Sequence, residues 1–270
     1  MKLVIFDIDG TLVDSQQEIT QAMNRGMSAA GLPELEPARI LSIVGLSLPV
    51  AVTEPLPGQV RLDIFADPVC PWCLIGKAEL DRALESRPGH PFAITWQPFR
   101  LDPQMPQAGM DYVAYMKMKF TDEKGIIAAM KPVMEASERL GLWINPSLIE
   151  RMPNTLDAHR LLYWAGLEGV QTPVMSGLMR AHWREGRNIS NPDVLVEIGE
   201  KAGMQGAMIR HLLATAEDRD QVASRELHAR QRGINSVPTF IVADGHVVTG
   251  AQPASLWQNV IDELTGGQAQ

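Results

Sequence analysis

The stretch Val60-Arg61-Leu62-Asp63-Ile64-Phe65-Ala66-Asp67-Pro68-Val69-Cys70-Pro71-Trp72-Cys73 passes from an apolar segment through a turn into a helix start. Val60 to Ala66 is short, apolar and bounded by turn residues, the pattern of a buried strand. Pro71 suits the first position of a helix, where a missing N–H loses no hydrogen bond. Cys70 therefore stands at a helix N-terminus, where unpaired backbone N–H groups and the macrodipole favour a thiolate. Cys73, three residues on, lies on the same face, within reach of Cys70 but deeper. Such placement lowers a thiol pKa from about 8.5 into the range of about 3.5 to 7.5. Cys70 would then attack a disulfide and Cys73 would resolve the mixed disulfide.

Cys70 and Cys73 are the only two cysteines, too few for a disulfide framework or a four-cysteine zinc site. The alternatives for the pair are half of a metal site or two unrelated core thiols. A metal site needs two further ligands, and the six histidines show neither H-x-x-x-H nor H-x-x-H spacing. No metal is expected at the site.

Working outward, Phe92–Phe99 alternates well enough for a second strand of this region, and residues 110–232 have helical periodicity nearly throughout. Helices are expected over 110–120, 125–140, 156–168, 173–185 and 192–202. Asn191-Pro192 makes a good start for the last of these, with Asn as N-cap. Thr239–Ala243 and His246–Gly250 read as strands of a hairpin turning at Asp244-Gly245, and a helix over 253–264 follows. Ahead of the proline-rich seam at 54–59, Lys2–Ile8 reads as a strand and Gln16–Ala30 as a helix ended by Gly31 and Pro33. The order, β-α-β, a long helical stretch and β-β-α, predicts an α/β layer architecture. In Asn235-Ser236-Val237-Pro238-Thr239-Phe240 a proline directly precedes a strand, where it belongs at the strand start or in a tight turn, cis or trans.

From about residue 60 onward the chain resembles the DsbA-like thioredoxin superfamily, in particular its FrnE-like dithiol–disulfide oxidoreductases. The resemblance rests on Asp67 to Lys77 (DPVCPWCLIGK), Asn154 to Arg160 (NTLDAHR), Glu185 to Ile189 (EGRNI), Gly233 to Phe240 (GINSVPTF) and Gly250 to Pro253 (GAQP). It implies a thioredoxin-like fold at 60–104 and 206–270, with an all-helical domain inserted at 105–205. It also implies that Pro238 is a cis-proline facing the disulfide and that Val237 offers its backbone to an extended substrate. Pro71 and Trp72 would contact that substrate, and His159 would sit on the helical insertion near the cleft. Leu74 departs from relatives that carry an aromatic residue after the second cysteine.

At the front, Phe6-Asp7-Ile8-Asp9-Gly10-Thr11 resembles the first motif of haloacid-dehalogenase-type phosphatases. In that family Asp7 would be the nucleophile and Asp9 the general acid/base. The later motifs of the family have no room before the seam. Residues 1–54 are therefore read as an incomplete fragment, followed by a linker at 55–59, and phosphatase activity is not expected.

The 270 residues are 45% hydrophobic and carry a net charge of −8. That suits a globular core and disfavours a nucleic-acid partner. No apolar run reaches the roughly 18 residues of a membrane span, and no signal-peptide pattern follows Met1, so a cytoplasmic chain is expected. The expected partners are disulfide-containing proteins or peptides and glutathione as a thiol substrate, without a bound cofactor; a dimer is compatible with the sequence. Two rivals stand beside the oxidoreductase: a glutathione-dependent isomerase or transferase of the 2-hydroxychromene-2-carboxylate isomerase or kappa-class type, and a non-catalytic binding module.

Overall fold

The computed structural model describes residues 16–29, 31, 34–37, 55–56 and 58–266, and the chain divides into two units, residues 1–52 and 53–270. The expected strand Lys2–Ile8, with Asp7 and Asp9, lies outside the described residues. In the first unit, helix α1 (Gln16–Ala29) is followed by Gly31 at φ 73°, the left-handed geometry expected of a helix-ending glycine. Asn24 ties the next segment to this helix through two 2.9 Å bonds with the backbone of Leu35.

The second unit is built on strand β1 (Val60–Ala66). Helix α2 (Pro71–Ser86) carries the chain across to β2 (Phe92–Pro98), which runs parallel to β1 with Leu62 opposite Ile94. Parallel neighbours need such a crossover, and a helix supplies it. Two residues, β3 (Met110–Asp111), then pair with β4 (Arg151–Met152) outside the main sheet. Between and after them come α3 (Tyr112–Phe120), α4 (Glu123–Arg139), α5 (Leu156–Leu167), α6 (Gln171–Trp183), α7 (Pro192–Lys201), α8 (Gly206–Leu213) and α9 (Arg219–Gln231). Strands β5 (Thr239–Val242) and β6 (His246–Thr249) and helix α10 (Ala254–Gly266) complete the order β2-β1-β5-β6, with β5 antiparallel to both of its neighbours. This is a mixed α/β thioredoxin-like fold with a helical insertion. Asn191 caps α7 by accepting from the N–H of Asp193, with Pro192 at the first helical position.

Leu62 and Ile64 of β1 point to one face, while Arg61 and Asp63 pair on the other at 2.9 Å before Phe65 turns that face apolar. Leu62 and Ile64 join Phe240, Leu80 of α2 and Trp257 of α10 in the main core. The Phe240 and Trp257 rings lie 4.7 Å apart. Phe65 and Ile241 have the opposite parity and pack with Ala229 of α9, Ile234 and Phe99.

The hairpin turn sits one residue earlier than Asp244-Gly245 suggests. Ala243 and Asp244 carry the positive φ values, 50° and 60°, while the Gly245 N–H donates to the Val242 carbonyl at 3.2 Å. The register of β6 on β5, with His246 opposite Val242, leaves Ala243, Asp244 and Gly245 as the turn, while the Ala243 N–H still donates to the Arg61 carbonyl of β1 at 3.0 Å.

Arg160 of α5, which is fully buried, ties the helical insertion to the chain that follows it. Its guanidinium donates to the carbonyls of Leu212 (2.7 Å), Thr215 (3.1 Å) and Glu217 (2.7 Å) and to the carboxylate of Asp157 (2.9 Å). It also lies 4.9 Å from the Trp164 ring. One side chain on α5 thus serves a carbonyl in the last turn of α8, which also accepts from Thr215, and two in the chain that leads on to α9. Arg160→Leu should lower stability by about 2 to 4 kcal/mol, because the carbonyls of Thr215 and Glu217 lose the guanidinium and Asp157 keeps only Arg219, at 3.4 Å. A denaturant midpoint unchanged from the parent would contradict this account.

Candidate active site

The dithiol site begins with the turn that leaves β1. Asp67 is 1% exposed, and its carboxylate accepts from the Val69 N–H (3.4 Å), the Leu101 N–H (2.8 Å) and the Thr155 hydroxyl (3.3 Å). The Cys70 N–H donates to the Asp67 carbonyl at 2.9 Å and closes the turn. Trp183 of α6 braces it further, its indole N–H donating to the Pro68 carbonyl at 3.1 Å. These bonds fix where α2 starts.

Cys70 is the N-cap residue of α2 in extended geometry (φ −84°, ψ 119°), with Pro71 in the first helical position. No side chain caps this helix start, so the Cys70 sulfur stands at the uncapped N-terminal end of α2. The Cys70 carbonyl accepts from the N–H groups of Cys73 (3.1 Å) and Leu74 (3.2 Å), which sets the two cysteines one turn apart. Both thiols are free, Cys70 at 4% exposure and Cys73 at 1%, whereas Trp72 between them is 37% exposed.

The segment before β5 meets them. The Val237–Pro238 peptide is cis, and the Cys70 thiol donates to the Val237 carbonyl at 3.7 Å. Pro238 also lies close to α2: a Cβ added at Gly76 would come within 3.0 Å of the Pro238 ring and 3.4 Å of Phe240 and Ala251. Glycine at position 76 therefore lets helix and strand approach. The structure thus brings Cys70, Cys73, Pro71, Val237 and Pro238 together.

His159 is placed differently from a cleft-rim residue. It is 2% exposed, and its Nε2 faces the Asp67 carboxylate at 3.7 Å, beyond hydrogen-bond reach. A side chain so enclosed is not open to an incoming polypeptide. A second histidine, His182 of α6, is fully buried against the Trp183 ring, 4.9 Å away in an edge-on arrangement. Neither of its ring nitrogens has a hydrogen-bond partner among the described residues. Sequence reasoning gave no role to Asp67 or His182. For Asp67 a signal existed, an Asp-Pro turn start directly after a strand; for His182 there was none.

The electrostatics separate the two thiols. Burial pushes the Cys73 thiol well above its ordinary range. The hydrogen bond and charge of Cys70 and the charge of Asp67 raise it further, while a backbone hydrogen bond from Asp67 pulls the other way. Iodoacetamide added to the reduced protein near neutral pH should therefore alkylate Cys70 and leave Cys73 as a free thiol, read by peptide mass mapping. Equal labelling of both would contradict the assignment. Burial also lowers His182 to about 4, partly opposed by the Asp67 charge. The unfolded chain then takes up a proton that the native form refuses, so stability is lost as pH falls from about 6.5 towards about 4, by about 3 kcal/mol. Urea titrations across that window should show the loss, and His182→Leu should flatten it. An identical slope in the variant would remove His182 as the cause.

With this geometry established, comparison with known proteins places it. Residues 61–262 match the DSBA-like thioredoxin domain, and residues 4–61 match the haloacid dehalogenase-like hydrolase family. The uncharacterized protein YwbO of Bacillus subtilis is 27% identical over 205 residues, 76% of this chain and 96% of that one. The crystal structure of a probable DsbA oxidoreductase from Streptomyces coelicolor superposes with a TM-score of 0.68 at 26% identity, over 78% of this chain and 92% of that one. The glutathione complex of DsbM, a cytosolic disulfide reductase from Pseudomonas aeruginosa, shares the fold with a TM-score of 0.54 at 18% identity, over 76% and 99% of the two chains. At the other end, 45 residues are 51% identical to phosphoglycolate phosphatase of Chromobacterium violaceum, 17% of this chain but only 20% of that enzyme. No helix among the described residues is long and apolar enough to cross a membrane. With its matched domain spanning most of the sequence, the chain belongs to the DSBA-like thioredoxin domain family, preceded by a short haloacid-dehalogenase-like segment.

Proposed function

We propose that this protein is a thiol–disulfide oxidoreductase that exchanges disulfides with protein or small-thiol substrates through Cys70-Pro71-Trp72-Cys73. The observation that carries the reading is the pairing of Cys70, at the N-terminus of α2, with the Val237 carbonyl beside Pro238. A more exposed thiol faces backbone that a substrate chain can reach, and a deeper thiol lies one turn behind it. Cys70 attacks a substrate disulfide, and one substrate sulfur leaves as a thiol. Cys73 then attacks the Cys70 sulfur, and the second substrate thiol departs. The substrate disulfide gains two electrons and the dithiol loses them; run backwards, the same steps oxidise a substrate. No cofactor is needed for either direction. Pro71 and the exposed Trp72 supply contact area for the substrate. Glutathione is a thiol partner in this reading, supported by the shared fold of DsbM in its glutathione complex. We place the exchange in the cytoplasm, since both cysteines of the chain stand at the site and none remains for a structural disulfide. For residues 1–54 we propose no phosphatase activity, because the matched stretch spans a fifth of the phosphatase it resembles.

The test is equilibration of the protein in glutathione buffers of graded potential, with the thiols then trapped and counted. A single two-electron transition, absent in Cys70→Ser and in Cys73→Ser, is expected, and its midpoint separates an oxidant from a reductant. If the two thiols never join in an intramolecular disulfide, the reading fails. A glutathione-dependent isomerase or transferase, or a binding role, then takes its place.

A further inference from the structure

A small pocket beside the edge of β2 is lined by Trp96, His159, Tyr163, Gln171 and Arg225, so it lies between that strand, α5, the start of α6 and α9. Two of these side chains are already engaged. The Gln171 amide accepts from the Trp96 N–H at 2.7 Å and donates to the Trp96 carbonyl at 3.0 Å, occupying the edge of β2 as a neighbouring strand would. The same amide nitrogen also donates to the Leu162 carbonyl at 3.1 Å. The Trp96 indole N–H donates to the Thr172 hydroxyl at 2.9 Å. Neither side chain has a donor left for the pocket.

The other three carry polar groups that nothing answers. Arg225 of α9 is half-buried, with its guanidinium over the Tyr163 ring at 5.0 Å. Such a contact uses the flat face of the guanidinium and leaves the N–H groups at its edge. None of them is given to a carboxylate or carbonyl among the described residues. Tyr163 of α5 is half-buried too, and burial and the Asp218 charge raise its hydroxyl, against Arg225, so it keeps its proton near pH 7. That hydroxyl has no hydrogen-bond partner among the described residues. His159 is the most enclosed of the three, 2% exposed, and its Nε2 is unpartnered among the described residues. Enclosed polar groups are normally paired, and three unpaired ones at a single pocket fit a ligand that accepts hydrogen bonds.

We propose that this pocket binds a small planar oxyanion, of which formate is the simplest, held at the edge of the Arg225 guanidinium with the Tyr163 hydroxyl as a further donor. No acidic side chain lines the pocket. The carboxylates nearby are engaged elsewhere. Asp218 accepts from the Trp164 indole at 2.8 Å, and Asp67 holds three donors of its own. Asp67 faces the His159 ring at 3.7 Å, so that ring stands between the pocket and this second negative group. A guanidinium edge matches the two oxygens of a carboxylate, which favours an oxyanion over a halide. Space sets the size, since the pocket holds only a few heavy atoms. Neither cysteine lines the pocket, so this binding stands or falls apart from the oxidoreductase reading.

The test is a titration of the full ¹⁵N-labelled protein with sodium formate, read at the indole N–H of Trp96, whose resonance Trp96→Phe identifies. Ionic strength is held constant with morpholinoethanesulfonate, an anion too large to enter. A saturable shift with a midpoint of about 1 to 10 mM is expected. Arg225→Gln should raise that midpoint by roughly 10-fold or more and Tyr163→Phe by roughly 3- to 10-fold. Arg225→Lys, which keeps the charge and loses the fork, should fall between the parent and Arg225→Gln. A shift linear in formate would overturn the site, as would a midpoint that Arg225→Gln leaves unmoved. Should Arg225→Gln not fold, an unmoved midpoint in Tyr163→Phe overturns it instead. Chloride that binds as well as formate would overturn the oxyanion assignment. Acetate and propionate separate the two sources of a carboxylate. Midpoints that rise with each added carbon assign a free one-carbon ion, and midpoints that hold or fall assign the end group of a longer acid whose body extends through the mouth.

Discussion

A carboxylate taken out of water has to be met by donors, and the placement of this site follows from how Asp67 meets that requirement. Its donors come from the turn itself, from the chain leaving β2, 34 residues on, and from the start of α5, 88 residues on. One charge therefore fastens the turn that presents Cys70 to the exit of the neighbouring parallel strand and to the helical insertion. Trp183 adds a fourth attachment through the Pro68 carbonyl. The helix that carries the cysteines cannot shift along the sheet without breaking several of these bonds at once.

The same charge links stability to chemistry. It shares its surroundings with a thiol held protonated and with His182, held neutral by burial. Groups of this kind are costly to bury unless they have partners, and His182 has none among the described residues. That expense sits next to the reacting sulfurs rather than elsewhere in the core.

What could be read from the sequence was local. The strand, the turn and the helix start at Cys70-Pro71 follow from neighbouring residues, as does the cap at Asn191-Pro192, and the structure has each of them. The hairpin was found but misplaced by one residue, because β6 pairs with β5 in the register that sets His246 opposite Val242 and puts Ala243 in the turn. Arg160 lay inside a quoted motif without a role, since its partners are 52 to 57 residues away apart from Asp157. The resemblance put His159 near the cleft, and no local pattern announces the buried carboxylate of Asp67 that its ring faces. The front motif with Asp7 and Asp9 lies outside the described residues, while every strand of the four-stranded sheet belongs to the second unit.

The contact between the Cys70 thiol and the Val237 carbonyl makes the two redox states unlike as docking partners. In the dithiol form that carbonyl already accepts a proton donor from within the protein. A disulfide sulfur carries no hydrogen, so oxidation withdraws this donor from the oxygen. The oxidised form then presents an acceptor for the backbone N–H of an arriving chain, and the reduced form presents the same oxygen already engaged. In the proposed exchange the redox state would therefore set how many acceptors stand free beside Pro238.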